Sequence, residues 1–482
     1  MNFFDFGFIF VFVPLVWIGA ALARCIGQRA QYAFLILASL LFYWSWNTAA
    51  PTVLIVSIGL NYLLGQRLYG RPHKIWLALG VAANLLTLGY YKYTLFVVTN
   101  IGELFALPPM SQIILPLGIS FFTFQQISYL VDSHRGETPK HDFLSYALFI
   151  SFFPHLVAGP IVLQGDVLRQ LGRKWALLLG PRHLALGLAL FSVGLAKKII
   201  VADTFAQYAI ELFAKAHQSP LSTAEAWQAG FAYTFQIYFD FSGYSDMAIG
   251  LAYMLGLRLP FNFNSPYKSL NISEFWRRWH MSLSRFLKRY LYIPLGGNRR
   301  GRFRTYQNLL IVMMLGGLWH GASWTFVLWG TLHGLLLVGH VYWKRLDLVI
   351  LPSPLGRRMA WFATFIVIVF TWIPFRAPDL ATTASVWLSM IGLGPSGFGG
   401  MPLSFAVMAL AAVMGCLLLP NSQQLVFGES RIVDDRYPAG TNWLLRYRMT
   451  PAWAVAFGCL FTVALACEWQ MRTPPEFIYF NF

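Results

Sequence analysis

The sequence predicts an all-α, polytopic integral membrane protein with roughly ten to twelve membrane segments in a bundle, plus interfacial amphipathic helices. Three observations predict it. Of the 482 residues 57% are hydrophobic and only 11% charged, well below the charged share of about 25% usual in soluble domains. Uncharged apolar runs recur at or near the roughly 20 residues that cross a hydrocarbon core as a helix. The net charge of +17 is gathered in short loops between those runs, the pattern of cytoplasmic connections. The positive-inside pattern accounts for the cations, so membrane lipid is the expected surrounding and no nucleic-acid partner is expected.

The first run covers residues 6–23. An aspartate, Asp5, stands at its start and no basic leader precedes it, so it reads as a retained span and not as a signal peptide. Arg24 and Arg29 follow it, and Arg67, Arg71 and Lys74 follow the shorter runs at 31–47 and 51–66. Both basic loops are therefore placed in the cytoplasm and the N-terminus outside. Residues 104–131 and 143–165 are the next long runs, divided by the charged segment 132–142.

Between Arg258 and Arg304 eleven Lys or Arg residues stand against one acid, Glu274. Asn271 with Glu274 three residues on resembles a capping box, so a helix begins there. Phe275, Trp276, Trp279, Leu283, Phe286, Leu287 and Tyr290 recur at helical spacing, and Arg277, Arg278, Arg285, Lys288 and Arg289 fill the rest of the wheel. Pro294 ends it. One amphipathic helix is expected, too charged to span, at the interface or in the cytoplasmic mouth.

Runs at 322–343, 359–375, 401–427 and 449–467 complete the membrane portion, with 431–448 as a cytoplasmic loop and the tail after 467 outside. No long linker and no fixed-period repeat occurs, so residues 1–482 read as a single membrane domain. Cys25, Cys416, Cys459 and Cys467 lack CxxC spacing, which leaves them as packing residues. No metal site is indicated.

Ionisable and polar groups inside apolar runs are the candidates for chemistry. His320 ends "NLLIVMMLGGLWHG", where Gly316, Gly317 and Gly321 allow a helix or substrate close approach. It is either a general base towards a hydroxyl or a histidine bonded to a neighbouring helix. His280 sits among the aromatics and cations of the amphipathic helix. His333, in a Gly330-x-x-x-Gly334 frame, is a packing or supporting residue.

"YFDFSGYSDMAIG" carries Asp240 and Asp246. Their single six-residue spacing is weak for Mg²⁺, and Asp240 with Tyr244 one turn on is expected to order the site by hydrogen bonds. Gln125, Gln126 and His155 suit either a polar tunnel wall or structural hydrogen bonds. GxSxG, P-loop and HExxH patterns do not occur.

Taken together, "GISFFTFQQISYLVD", "FFPHLVAGP", "YFDFSGYSDMAIGLA", "NFNSPY", "EFWRRWHMSLSRFLKRYLYIPLGGNRRG" and "LGGLWHGASWTFVLWGTLHG" resemble, in content and order, the membrane-bound O-acyltransferase family. Within it they resemble the bacterial branch that O-acetylates polysaccharides, typified by the membrane subunit of alginate O-acetylation. The motif core extends over about 115–334. Outside it the likeness is one of hydropathy alone.

The resemblance implies that His320, in "LWHG", is the signature histidine. It implies that His280 is the histidine the bacterial branch carries where many relatives have Asn or Asp. It also implies a ring of tilted helices around a tunnel from a cytoplasmic donor entrance to an extracytoplasmic acceptor entrance. Acetyl-CoA is the donor so implied, a substrate and not a bound cofactor. Arg299, Arg300 and Arg302 would bind its phosphates while Trp279 and other aromatics shield the pantetheine arm. His320 would act as base, with a helix-end donor or His280 steadying the oxyanion.

The expected function is an inner-membrane O-acetyltransferase serving an exopolysaccharide such as alginate or cellulose. A periplasmic, serine-hydrolase-like acetyltransferase and exopolysaccharide pathway proteins would be its partners. The competing readings are a transporter of a polar substrate and a structural anchor of a secretion complex. Paired broken helices in two halves would mark the transporter, and none are evident.

Overall fold

The computed structural model describes all residues except 47–49, 71, 106–112, 173–179, 347–352, 396–399, 428–449, 472–474, 476 and 482. The described residues are overwhelmingly helical, and no strand occurs among them. Among the described residues five helices are long and apolar enough to cross a membrane: Phe8–Ile26, Pro181–Gln218, Trp324–Arg345, Pro354–Arg376 and Pro451–Gln470. The chain is thus all-α and polytopic. The loop expected at 431–448 and the start of the run at 449 lie outside the described residues.

Thr223–Met254 is the central mast, buried along most of its length. Its N-terminus is set by Ser222, which caps Glu225 N while the Glu225 side chain accepts from Ser222 N at 3.0 Å. Pro181–Ala196 packs against it through two glycine pairs. A Cβ on Gly187 would lie 2.6 Å from Gly250 O and one on Gly194 2.6 Å from Gly243 O, and the converse distances are both 2.7 Å. The backbones touch, which only glycine allows.

Arg302–His320 and Trp324–Arg345 form a second close pair. A Cβ on Gly317 would strike Phe326 O, and one on Gly330 would strike Met313 O. The small residues of the "LGG" and "LWG" stretches therefore serve helix contact.

Three expected runs are interrupted. The run at 143–165 becomes Phe143–Ser151 and Phe153–Leu156 around Phe152, whose ψ of 110° leaves the helix two residues ahead of Pro154 at an N-terminal helical position. The chain from Val157 to Leu163 is then irregular but buried, a condition under which non-helical backbone is tolerated at membrane depth. The run at 401–427 divides at Pro420 into Leu403–Leu418 and Ser422–Phe427. The described part of 104–131 is helical only up to Phe105 and from Ile119.

The single amphipathic helix expected from 271 to 294 is also broken. It starts where the capping signal places it, with Asn271 accepting from Glu274 N at 2.9 Å. It stops at Arg278 and resumes at Met281, because Trp279 is extended and His280 is left-handed at φ 41°, ψ 54°. The break is stapled to residues 262–264 by two backbone bonds, Asn264 N to Arg278 O and Met281 N to Asn262 O, both 2.9 Å. Sequence periodicity carries no sign of this, since neither Gly nor Pro marks the position.

The charged face of the second half docks on distant acids. Arg285 makes a two-pronged pair with Asp166, and Arg289 pairs with Glu137 and, at 3.0 Å, with buried Asp132. Tyr290 OH also donates to Asp132 at 2.7 Å.

Candidate active site

His320 is the last residue of the Arg302–His320 helix and His280 the left-handed residue of the elbow. Both are buried, and their ring centroids lie 6.2 Å apart. That gap is too long for a direct bond between the rings and leaves room for one hydroxyl between them.

The hydrogen bonds settle the tautomer of His280. Asn262 Oδ1 accepts from the Ser282 hydroxyl at 2.8 Å and from Ser282 N at 3.3 Å, so that atom is the amide oxygen. His280 Nδ1, 3.1 Å from the same oxygen, must therefore carry the proton it donates. Nε2 is then a bare lone pair, buried and without a partner among the described residues. A neutral His280 of this tautomer accepts a proton at Nε2 and has none to offer an oxyanion there, which alters the role expected for it. Ser282 Oγ is in turn fixed by Ile161 N at 2.9 Å.

His333 takes the opposite tautomer. Trp276 Nε1 donates to its Nδ1 at 3.2 Å, so the proton is on Nε2, buried and unpartnered. The neighbouring Trp329 Nε1–H is likewise buried without a partner. The Trp329 ring lies 5.2 Å from His320 and 4.7 Å from His333. Two unsatisfied N–H donors beside a histidine are costly in a folded core, about 1–3 kcal/mol each, and are the groups an oxyanion needs.

Asp240 and Asp246 do not share a site. Asp246 pairs with Lys197 at 2.7 Å, and Asp240 pairs with Lys198 at 3.1 Å, whose ammonium also holds Asp203 at 2.6 Å. Where hydrogen bonding to Tyr244 was the expected use of Asp240, its partners here are Lys198 and the backbone N of Ile478, at 2.8 Å to Oδ2. Tyr244 stacks between Phe3 and Phe477, with centroids at 4.7 and 4.3 Å.

The tail thereby returns to the centre. Lys198 Nζ donates to Pro475 O at 3.0 Å, and the Tyr479 ring sits 5.7 Å from His320, 6.3 Å from His280 and 4.1 Å from Phe241. Gln125 lies to one side, its amide 3.1 Å from His155 Nδ1 and its Oε1 unpartnered.

Arg299, Arg300 and Arg302 are exposed, beside exposed Ile293 and Phe303. Arg302 and His320 are the two ends of one 19-residue helix, so the arginines stand about 27 Å from the histidine along its axis. Trp279 is not with them. It is buried against Trp372 at 4.9 Å and Phe263 at 5.0 Å, part of the wall behind His280 and no cover for an exposed donor.

Sequence reading missed Asn262, Lys92 and the tail. Asn262 appears in it only as a letter of "NFNSPY". Lys92 is a cation within an apolar stretch, a signal that was available. Nothing in "FIYFNF" marks Tyr479 as a neighbour of two histidines.

The MBOAT, membrane-bound O-acyltransferase family, matches this sequence over residues 40–378. The chain is 42% identical over 418 residues to the peptidoglycan O-acetyltransferase of Helicobacter pylori, covering 80% of this chain and 79% of that one. It is 42% identical over 398 residues to the probable alginate O-acetylase AlgI of Pseudomonas aeruginosa, covering 80% and 74%. A more distant likeness, 29% over 251 residues, joins it to the teichoic acid D-alanyltransferase of Bacillus subtilis, covering 49% and 62%.

Proposed function

Because the chain belongs to the membrane-bound O-acyltransferase family and is an O-acyltransferase, we propose that it moves acetyl groups from cytoplasmic acetyl-CoA to a hydroxyl destined for an exopolysaccharide. The membrane in question is the bacterial inner membrane. The transporter and anchor readings give way to an enzyme. Alginate and cellulose are the first polymers to try, the former because relatives at about this identity are named for alginate O-acetylation.

The observation that carries the chemistry is the buried pair His320 and His280, rings 6.2 Å apart, with Nε2 of His280 free to accept. In the proposed reaction the acceptor hydroxyl lies between the rings. His320 takes its single proton; His280, whose bare Nε2 can only accept, orients the hydroxyl before that proton passes to His320 and makes no bond to the alkoxide. The oxygen attacks the thioester carbonyl, and the N–H groups of Trp329 and His333 receive the oxyanion. Collapse of the tetrahedral intermediate breaks the C–S bond, and the imidazolium of His320 returns its proton to the departing CoA thiolate.

The CoA phosphates stay on Arg299, Arg300 and Arg302. Arg285 and Arg289 are committed to Asp166, Asp132 and Glu137 and are left out of that role. A periplasmic serine-hydrolase-like acetyltransferase and other exopolysaccharide proteins complete the route to the polymer.

Radiolabelled acetyl-CoA, incubated with purified protein, polymer and periplasmic extract, tests the reading. Transfer should occur with the parent and vanish in His320→Ala at normal expression and membrane insertion. Near-parental transfer in that variant sinks the assignment.

A further inference from the structure

A helix leaves its last carbonyls without intrahelical donors, and its C-terminus carries partial negative charge. The Arg302–His320 helix ends inside the protein at the residue that reacts, so those carbonyls must be answered locally. Tyr93 OH donates to Leu318 O at 2.9 Å. Lys92 Nζ donates to Trp319 O at 2.5 Å and to His320 O at 3.3 Å, and its remaining bond is to Ser120 Oγ at 3.3 Å. Three successive carbonyls are thus taken by two adjacent side chains.

Lys92 and Tyr93 come from the π-helical turn Gly89–Tyr93, a wide turn of the kind found at functional positions. Its helix rises from Lys74 as the other rises from Arg302. Each reaches the junction after 18 residues, about 27 Å.

The charge of Lys92 is unusual among the buried lysines. Lys198 is paired with two carboxylates. Lys92, also buried, has no carboxylate within ion-pair distance among the described residues, and only the helix end, a hydroxyl and the face of Trp319 receive it. A cation placed so expensively in a membrane segment needs a use beyond packing.

We infer that Lys92 and Tyr93 form a clamp on the end of the catalytic helix, positioning residues that hold His320 in register with His280. This rests on the reading of His320 as the catalytic base.

The test uses the full-length protein with radiolabelled acetyl-CoA, alginate and periplasmic extract. It compares Lys92→Met, Tyr93→Phe and His320→Ala with the parent. Lys92→Met is expected to lower kcat per folded molecule about tenfold to a hundredfold, as small misplacements of a reacting group do. Tyr93→Phe should lower it less, by about threefold to tenfold, and in both the KM for acetyl-CoA should stay within about twofold, because the donor's contacts are untouched. Deuterium exchange over the peptide carrying residues 316–321 should quicken in both variants.

Parental kcat and parental exchange in both variants overturn the clamp, and so does a loss confined to donor KM. If Lys92→Met does not accumulate, Tyr93→Phe decides: slowed kcat with quickened exchange supports the clamp, and parental values overturn it. Transfer that persists in His320→Ala removes the underlying reading and the clamp with it. Transfer lost in His320→Ala but intact in the two clamp variants removes the clamp alone.

Discussion

Asn262 and His280, 18 residues apart in sequence, are joined by a 3.1 Å bond in which the histidine donates from Nδ1 and the amide oxygen accepts. One side chain so determines which nitrogen of the other faces the centre. It also holds Ser282 on the far side of the elbow, so tautomer and backbone bend share one support.

Asn262→Ala is therefore expected to reduce kcat by about one to two orders of magnitude, somewhat under the 10²–10⁴ that a full acid–base group contributes. Asn262→Asp keeps an acceptor and should retain more activity. Steady-state acetyl transfer by detergent-purified protein measures both. Equal losses in the two variants would show that the bond to Nδ1 is not what matters.

Charge reversal at Arg299, Arg300 and Arg302 should raise the KM for acetyl-CoA with little change in kcat, since on the proposed reading these exposed residues, about 27 Å from His320, hold the donor without touching the reacting atoms. Raising the salt concentration should weaken donor binding in the parent in the same direction. A titration of donor affinity against ionic strength checks it, and a flat response would leave these cations to topology alone.

Glycine contacts give a stability prediction. Gly194→Leu forces a side chain into Gly243 O and should abolish the folded state. Gly458→Ala, at a helical glycine with nothing within 4 Å of the new carbon, should be neutral or stabilising by up to about 1 kcal/mol. Thermal unfolding in detergent distinguishes the two.

Lys198→Met would strand Asp203 and Asp240 in the core and release Pro475 O. Removing one partner of a buried pair costs roughly 3–5 kcal/mol, so a marked fall in melting temperature is expected. Asp246→Asn, at a pair that is partly open through Lys197, should cost much less. Comparable melting curves for the two would contradict this ranking.

Added periplasmic partner should matter to polymer acetylation. The purified chain with acetyl-CoA and polymer alone is expected to yield little acetylated product, and the yield should rise on addition of a serine-hydrolase-like acetylase. Efficient acetylation by the isolated chain would locate a sugar-binding groove within the membrane domain.

The residues most legible in the sequence were those whose meaning is local. The place of His320 is local, because the glycine-framed apolar run ends at it, while the residues alone leave base and helix-bonded histidine both open; Asn271 announced a helix start because capping is a matter of three residues. The elbow at Trp279–His280 was not legible. It is imposed by backbone bonds from residues 262–264, and no local propensity opposes continuing the helix there. Asp240 was visible as a buried acid but its counter-ion was not, because Lys198 lies 42 residues earlier and meets it only through the packing of two helices. Trp279 looked interfacial among five cations of its own wheel, yet burial followed from an elbow that turns the ring away from them.

The helix from Arg302 to His320 covers about 27 Å, close to the roughly 30 Å of a hydrocarbon core. On the proposed route the phosphates of the donor remain at the arginine end and only the end of the pantetheine arm, with its acetyl group, reaches the histidine end. The membrane voltage does about 2.3 kcal/mol of work per 100 mV on each elementary charge carried across, and none on a neutral acyl group. Acetyl export by this chain would then proceed at the same rate in energised and de-energised vesicles, driven by the thioester alone.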